Sequence, residues 1–338
     1  MPSLLYYLHN GRRGKFPAYV QGWVNQILPT AFFRHRLAGI LGKAGSRPDY
    51  TELLARVEYC NKLAPGTALG PAPTRLADLS LSNIATTYFH DAFKYTRYFP
   101  QDNRWNYLPG DISWIPEVPS IVKSRPIAGD NANGVLMRLN DVRHFNFVKS
   151  DIPFQKKDDI LVFRGKIWNK PKRMRFFEKH FGKPGIDIGA TDSHGYTEEE
   201  AAKFFGPGCG DKSHWRGNKL TLAQQLRHKF ILCLEGYDVA TSLKWAMSSN
   251  SIAVMPRPEF ETWFMEGTLV PGVHYIEIRP DYEDLMEKLA YYADKAHEAE
   301  ALEIIRNAHR HVARFQDMEF EKIASLMVLD KYFRSTLP

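Results

Sequence analysis

The stretch that most constrains the fold runs from Lys229 to Pro256, KFILCLEGYDVATSLKWAMSSNSIAVMP. Phe230–Leu234 is an apolar run of strand length. Glu235–Thr241 is polar, carries Gly236 and reads as a loop. Ser242–Asn250 has helical spacing, with Leu243, Trp245, Ala246 and Met247 as an apolar stripe, and Ser251–Met255 is a second strand closed by Pro256. Strand, loop, helix, strand is the phosphate-handling unit of a doubly wound sheet. Such a loop brings free backbone N–H groups and the positive end of a helix dipole to one point. Thr241 or Ser242 is expected to cap the helix, with Lys244 adding a charge in its first turn. The plainer alternative is a packing unit with no ligand.

The neighbourhood repeats the pattern. Ile160–Arg164 reads as a buried strand followed at once by Gly165, and Pro171–Phe181 as a helix with proline near its first turn. Ile186–Ile188 is a short strand, Glu198–Phe205 a short helix within a polar, Gly-rich loop, and Leu220–His228 a helix. Glu259–Glu266 is expected to be a short helix, Val273–Ile278 a strand, and Asp281–Ala293 a helix; helical pattern fills Lys295–Phe315 and Phe320–Phe333. Residues 155–290 thus alternate strand and helix, as in a parallel α/β sheet. Upstream, Tyr50–Leu63 is helical, Ala64–Pro73 a turn region, and Val135–Leu139 and His144–Val148 read as strand pieces.

The 338 residues suffice for one large or two medium domains, and 44% hydrophobic with 25% charged residues is a globular composition. No apolar run approaches membrane-spanning length, and the first residues lack the order of a signal peptide. Cys60, Cys209 and Cys233 are too few for a disulfide frame and fit a reducing cytoplasm. The net charge is +7, and residues 1–50 carry seven basic side chains against Asp49 alone. Arg12, Arg13, Lys15, Arg34, Arg36 and Lys43 alternate there with Tyr6, Tyr7, Phe16, Trp23, Phe32 and Phe33. That mixture suits an anionic membrane surface. A solvated basic face is the plain alternative. Nucleic acid is not the expected partner, since no known nucleic-acid motif accompanies the charge.

A second basic cluster, Lys149 to Arg175, sets nine cations against Asp151, Asp158 and Asp159. Arg164 ends a buried strand at the edge where parallel sheets bind ligands, and its planar fork would grip a phosphate; the alternative is an ion pair. Arg173 is read the same way. Asp111, Asp91, Glu117 and Glu235 are candidates for a general base, with Asp111 in a turn after Pro109-Gly110. No Asp-x-Asp pair exists to clamp a divalent ion, Cys209 and His214 lack partners at zinc spacing, and no metal is expected. His309 and His311 flank Arg310 on a helix, do not share a face, and are expected to be solvated.

Several segments together resemble glycosyltransferase family 90: VPSIVKSRPI (118–127), VRHFNFVKSDIPFQKK (142–157), LVFRGK (161–166) with Lys172 and Arg173, LEGYDVATSLKWAMSSNSIAVM (234–255) and ETWFMEGTLVPGVHYIEI (261–278). The resemblance covers roughly residues 80–290, and the basic beginning is similar to the bacterial lipopolysaccharide branch. It implies a GT-B architecture, two Rossmann-like domains with the donor in the C-terminal one, and an inverting transfer from a UDP-sugar without metal or cofactor. The donor contacts implied are Arg164, Gly165 and Arg173, with Gly236, Asp238, Ala240, Thr241, Ser242 and Lys244 in the nucleotide loop. Asp111 fits the family's catalytic aspartate by position. Ser242 stands where eukaryotic members carry an arginine, so phosphate charge is left to Arg164, Arg173 or Lys244. The expected division is a basic segment at 1–47, an acceptor-side domain at 48–150, a nucleotide-sugar domain at 151–315 and a helix at 316–338 packing back on the N-terminal domain. The expected partners are a UDP-sugar, a lipopolysaccharide-core or related acceptor, and the inner face of the cytoplasmic membrane, in a cytoplasmic protein. A glycan-binding protein without activity, or a nucleic-acid-binding protein, are the alternatives.

Overall fold

The structure is a computed structural model and describes residues 29–82 and 84–337. Helices α1 (Thr30–Ala44) and α2 (Tyr50–Cys60) come first, then short strands β1 (Thr67–Ala68) and β2 (Thr74–Arg75), then α3 (Thr86–Thr96). Five short strands follow, β3 (Arg104–Trp105), β4 (Tyr107–Leu108), β5 (Ser120–Val122), β6 (Ser124–Pro126) and β7 (Gly134–Leu136), and a single turn α4 (Asp141–His144). Next come β8 (Asp158–Gly165), α5 (Pro171–His180), β9 (Ile186–Ala190), α6 (Glu198–Phe205) and α7 (Leu222–Gln225). After these lie β10 (His228–Leu232), α8 (Leu243–Met247), β11 (Ile252–Met255), β12 (Phe260–Thr262) and β13 (Ile276–Glu277). The chain closes with α9 (Leu285–Ala293), α10 (Glu298–Ala313), α11 (Met318–Ser335) and β14 (Thr336–Leu337).

These elements form two compact units. The parallel-sheet unit holds residues 146–258 and 269–312; the mixed unit holds residues 29–145, 259–268 and 313–337.

The first unit is a five-stranded sheet of order β13-β11-β10-β8-β9, every neighbouring pair parallel. Phe230, Ile231 and Leu232 register with Ile252, Ala253 and Val254, and all are buried. Strands apolar at successive positions need cover on both faces, which crossover helices provide. Met174, Phe176 and Phe177 of α5, Leu285 and Leu289 of α9, and Ala301, Ile304 and Ile305 of α10 supply buried apolar surface. Pro171 sits in the first turn of α5, and Thr197 and Glu200 close a capping box on α6.

The mixed unit has no extended sheet. β4, β5 and β7 form a parallel trio centred on β5, β6 pairs antiparallel with β12, β2 with β3, and β1 runs parallel to β14. Buried charge ties these pieces together. Glu321 of α11 receives Arg56 Nη1 of α2 at 3.1 Å, Arg138 Nη1 at 2.6 Å and Trp263 Nε1 at 2.6 Å. Arg125 of β6 donates to Glu261 of β12 at 2.8 Å, and both are buried.

Several sequence expectations change. Glu259–Glu266 is not a helix: Phe260–Thr262 is a strand, because pairing with β6 places Glu261 opposite Arg125. His144–Val148 is not a strand; it is the end of α4 and a loop. The helix expected over Leu220–His228 is the single turn α7, and the strand expected over Val273–Ile278 is only β13. His311 is buried, and the half-buried His309 is tied to Ser249 O through Nε2 at 2.8 Å, so the pair is not the freely solvated one expected. The apolar stripe of α10 continues through His311 to Val312 and packs it inward.

Candidate functional site

All strands of the sheet run one way, so β8, β9 and β10 present their carboxyl ends at one edge, where open α/β sheets hold ligands. β8 leaves the sheet at Gly165, where a Cβ would lie 2.8 Å from the Phe163 ring. Lys166 follows, exposed, and the chain turns through Asn169 in the left-handed region. Asp192, just beyond β9, fixes this turn: its Oδ2 accepts from Ile167 N at 2.6 Å, Trp168 N at 3.0 Å and the Tyr196 hydroxyl at 2.7 Å.

The loop after β10 is braced from α5. Arg173 Nε donates to Leu234 O and Glu235 O, both at 3.1 Å; Nη2 donates to Leu234 O at 2.7 Å and Nη1 to Lys166 O at 2.8 Å. One guanidinium thus joins the exits of β8 and β10. Lys172 pairs with Glu235 at 2.6 Å. Gly236 lies against Arg173, whose Nη2 would be 3.2 Å from a Cβ there, and Gly236 N donates to Asp238 O at 2.9 Å. Asp238, Val239 and Ala240 turn inward and are buried, while Tyr237 points out with Lys170 Nζ 4.4 Å from its ring centroid.

The helix after this loop differs from the expected one. α8 spans only Leu243–Met247, a little over a turn, too short to develop much of a dipole. Ser242 stands at its N-cap, yet neither it nor the half-buried Thr241 caps it by a side chain; the Ser242 hydroxyl donates instead to Cys233 Sγ at 3.5 Å. Burial pushes the Cys233 thiol up to about 12, so it stays neutral. Lys244 is 0% exposed and belongs to the packed interior, not to a solvent-facing first turn.

Arg164 leans the other way. Its Nη2 pairs with Asp187 Oδ1 at 2.7 Å, Nη1 donates to Phe163 O and Asp187 O at 2.9 Å, and Nε to Asn218 O at 2.9 Å. Apart from Phe163 O on β8 itself, these partners lie on β9 and the 218 loop, on the β9 side of β8, whereas Arg173 bonds the exit of β10. The structure brings Gly165, Arg173, Gly236 and Asp238 together and sets Arg164 apart in an ion pair. Lys166, Tyr237 and Asp192 are the additions. The first was visible as part of a basic run; the other two carry no local signal, because a tyrosine in a loop and an aspartate in a turn are ordinary.

The carboxylate candidates separate in the mixed unit. Asp111 follows Gly110, which has a φ of 121°, and its Oδ1 accepts from Nζ of buried Lys123, between β5 and β6. Ile112 N donates to Ser124 Oγ at 3.3 Å, and Ser124 Oγ donates back to Ile112 O at 3.2 Å, fastening the segment. Asp111 remains a third exposed, and among the described residues its Oδ2 has no hydrogen-bond partner. Asp91 accepts from Asp141 N at 2.9 Å. It keeps some contact with solvent, but the protein around it is dense. Desolvation, and then the Asp141 charge, push its carboxyl up to about 7. Glu235 is held by Lys172 in the other unit, and Glu117 is simply exposed. Arg125, within the 118–127 segment, is spent on Glu261 and on the carbonyls of Tyr59 and Gly134.

Among the described residues no three His, Cys, Asp or Glu side chains gather as a metal site, and no helix is long and apolar enough to cross a membrane. Of the basic N-terminal segment, residues 1–28 lie outside the described residues. The part described is α1, where Arg34, Arg36 and Lys43 face solvent with Phe32, and where only Phe33 and Ala44 are buried.

Comparison with known proteins adds three matches. The model of the family described as Glycosyl transferase family 90 matches residues 144–334. The O-glucosyltransferase LpsA of Dichelobacter nodosus is 35% identical over 323 residues, covering 94% of this chain and 95% of that protein. The Uncharacterized protein 035R of Invertebrate iridescent virus 3 is 30% identical over 104 residues, 30% of this chain and 9% of that protein.

Proposed function

The chain belongs to glycosyltransferase family 90, and on that premise we propose that it moves a hexose from a UDP-sugar to a hydroxyl of a lipopolysaccharide core or related surface glycan, with inversion and without a metal. The name of the Dichelobacter relative, an O-glucosyltransferase, favours glucose as the sugar and oxygen as the acceptor atom. The two units are read as the halves of the GT-B plan, with the donor on the parallel-sheet unit. The observation that carries the reading is the loop at 235–242, stapled to the exit of β8 by Arg173.

In this reading, Gly236 lets the backbone of that loop approach the diphosphate. The charge that builds on departing UDP is stabilised by Arg173 and by Lys166 and Lys170 at the same sheet edge. Arg164 contributes through its place in the ion pair with Asp187, more as scaffold than as a direct phosphate ligand. Asp111 takes the proton of the acceptor hydroxyl as it attacks the anomeric carbon. Lys123 orients that carboxylate by binding one oxygen and leaves the other to accept the proton. The outer side of α1, cationic with an exposed Phe32, contacts the anionic membrane that carries the acceptor.

The test is product analysis with UDP-glucose and a lipid-free core oligosaccharide in EDTA. The expected product carries glucose in the configuration opposite to the donor's, and Asp111→Asn abolishes its formation. Retained configuration, or a strict metal requirement, contradicts the reading. For the membrane contact, replacing Arg34, Arg36 and Lys43 with Gln is expected to weaken binding to phosphatidylglycerol vesicles while turnover on the lipid-free acceptor stays unchanged.

A further inference from the structure

We propose that Trp114 is the platform on which the acceptor saccharide stacks beside Asp111; the inference rests on the reading of Asp111 as the base. Six of the seven tryptophans are among the described residues. Trp105, Trp215, Trp245 and Trp263 are buried, and Trp168 is half-buried with its ring against Tyr196 and Phe204. Trp114 is 55% exposed and makes no hydrogen bond or ring contact among the described residues. An indole held out in water offers a ligand a broad apolar face and one N–H donor.

The backbone that carries it is not loose. Ile112 is buried and doubly bonded to Ser124. On the other side, Asn133 Nδ2 donates to Pro116 O at 3.1 Å and Glu117 O at 2.9 Å. Ile115 packs so closely on Gly129 that a Cβ there would come within 3.0 Å of its Cδ1. Between these fastenings Asp111 faces out, Ile112 in and Ser113 out; strict alternation would then turn Trp114 inward with Ile112. The chain bends at Trp114 instead and keeps it outward with Asp111 and Ser113.

Three residues span at most about 10–11 Å, so the ring and the carboxylate lie within reach of one short saccharide. An indole offers an apolar face to the C–H side of a pyranose and one N–H donor to a hydroxyl. Because the segment is already fastened, binding orders little that was free. The surface next to the group that deprotonates the acceptor is an acceptor surface, which is why we assign the ring to the acceptor and not to the nucleotide. Its removal leaves no cavity, so stability is expected to hold.

The test compares wild type, Trp114→Ala, Trp114→Phe and Asp111→Asn, all as full chains. Rates are measured against lipid-free core oligosaccharide at saturating UDP-glucose, and donor hydrolysis is measured without acceptor. For Trp114→Ala, the acceptor KM is expected to rise about tenfold, the scale of one lost aromatic contact. The kcat, donor hydrolysis and Tm are expected to stay near wild type, and Trp114→Phe to recover most of the KM. Separately, titrating the oligosaccharide into wild type is expected to change tryptophan fluorescence, and Trp114→Ala to lose that change; this readout does not need turnover. An unchanged KM, a fluorescence change that survives in Trp114→Ala, or no binding of the oligosaccharide to wild type overturns the proposal. So does loss of binding to phosphatidylglycerol vesicles in Trp114→Ala, which would assign the ring to lipid. If Asp111→Asn transfers normally while the Trp114 effects appear, the base assignment fails and the platform stands.

Discussion

The two units are held together by different physics. In the parallel-sheet unit, β8, β10 and β11 stack apolar side chains under helices, and ion pairs lie at both ends of the strands, Lys229–Asp159 at one and Lys172–Glu235 at the other. In the mixed unit, strands of two or three residues are too short to make a core of their own, and buried arginines and glutamates join them across the chain. In the proposed function this becomes a division of labour: the regular frame would offer its carboxyl edge to the donor's phosphates, while the irregular one holds single side chains such as Asp111 and Trp114 at chosen points. Apolar packing fails gradually as atoms are removed. A buried ion network fails abruptly, because one deletion strands its partners.

Glu321→Ala breaks that comparison most directly, since it leaves Arg56 and Arg138 buried without their shared anion. It is expected to cost about 3–5 kcal/mol in urea denaturation. A cost near zero would mean the network is ornamental. Next, Arg173→Ala is expected to lower transfer on the order of a hundredfold, because the loop loses its staple and the site loses a charge. Arg164→Ala should lower it by less than about tenfold, the equivalent of some 1.4 kcal/mol, because its fork is spent on Asp187. Equal effects on kcat/KM would erase the distinction between the two arginines.

Asp91 sharpens the comparison by pH. Its folded-state carboxyl is raised to about 7 from an ordinary 3.8, so the folded protein binds more protons than the unfolded chain between those values. Stability is therefore expected to fall as pH rises from about 4 to about 7. Asp91→Asn is expected to remove on the order of 2 kcal/mol of that fall, discounted for its solvent contact. Thermal melts at pH 5.5 and 8 measure it; a variant with the wild-type pH slope contradicts the assignment. The smallest effect is Ile231→Val in the sheet, about 0.5–1.5 kcal/mol, with buried Ile231 flanked by β8 and β11.

The same contrast explains what could be read from the residues alone. Phe230–Leu232 and Ile252–Met255 are recognisable because strands covered on both faces are apolar throughout. Helix α5 announces itself by Pro171 and its apolar spacing. Phe260–Thr262 could not be read, because what makes it a strand is an ion pair with Arg125, 136 residues away. Lys244 and Arg164 show what the sequence leaves out: a charged residue near a loop suggests a ligand, but only tertiary structure shows that Lys244 is enclosed and Arg164 paired with Asp187. Asp111 and Asp91 look alike in sequence, and their surroundings alone set one out and one in.

The most direct measurement of the donor site is thermal stability with UDP, other nucleoside diphosphates and a panel of UDP-hexoses, all in EDTA. A ligand that binds only the folded state at a hundred times its Kd adds about 2.7 kcal/mol. UDP and one UDP-hexose are expected to raise the Tm of wild type, and Arg173→Ala to lose most of that rise. No shift with any nucleotide, or a shift that appears only when a divalent cation is restored, would contradict a metal-free UDP-sugar site at the carboxyl edge of the sheet.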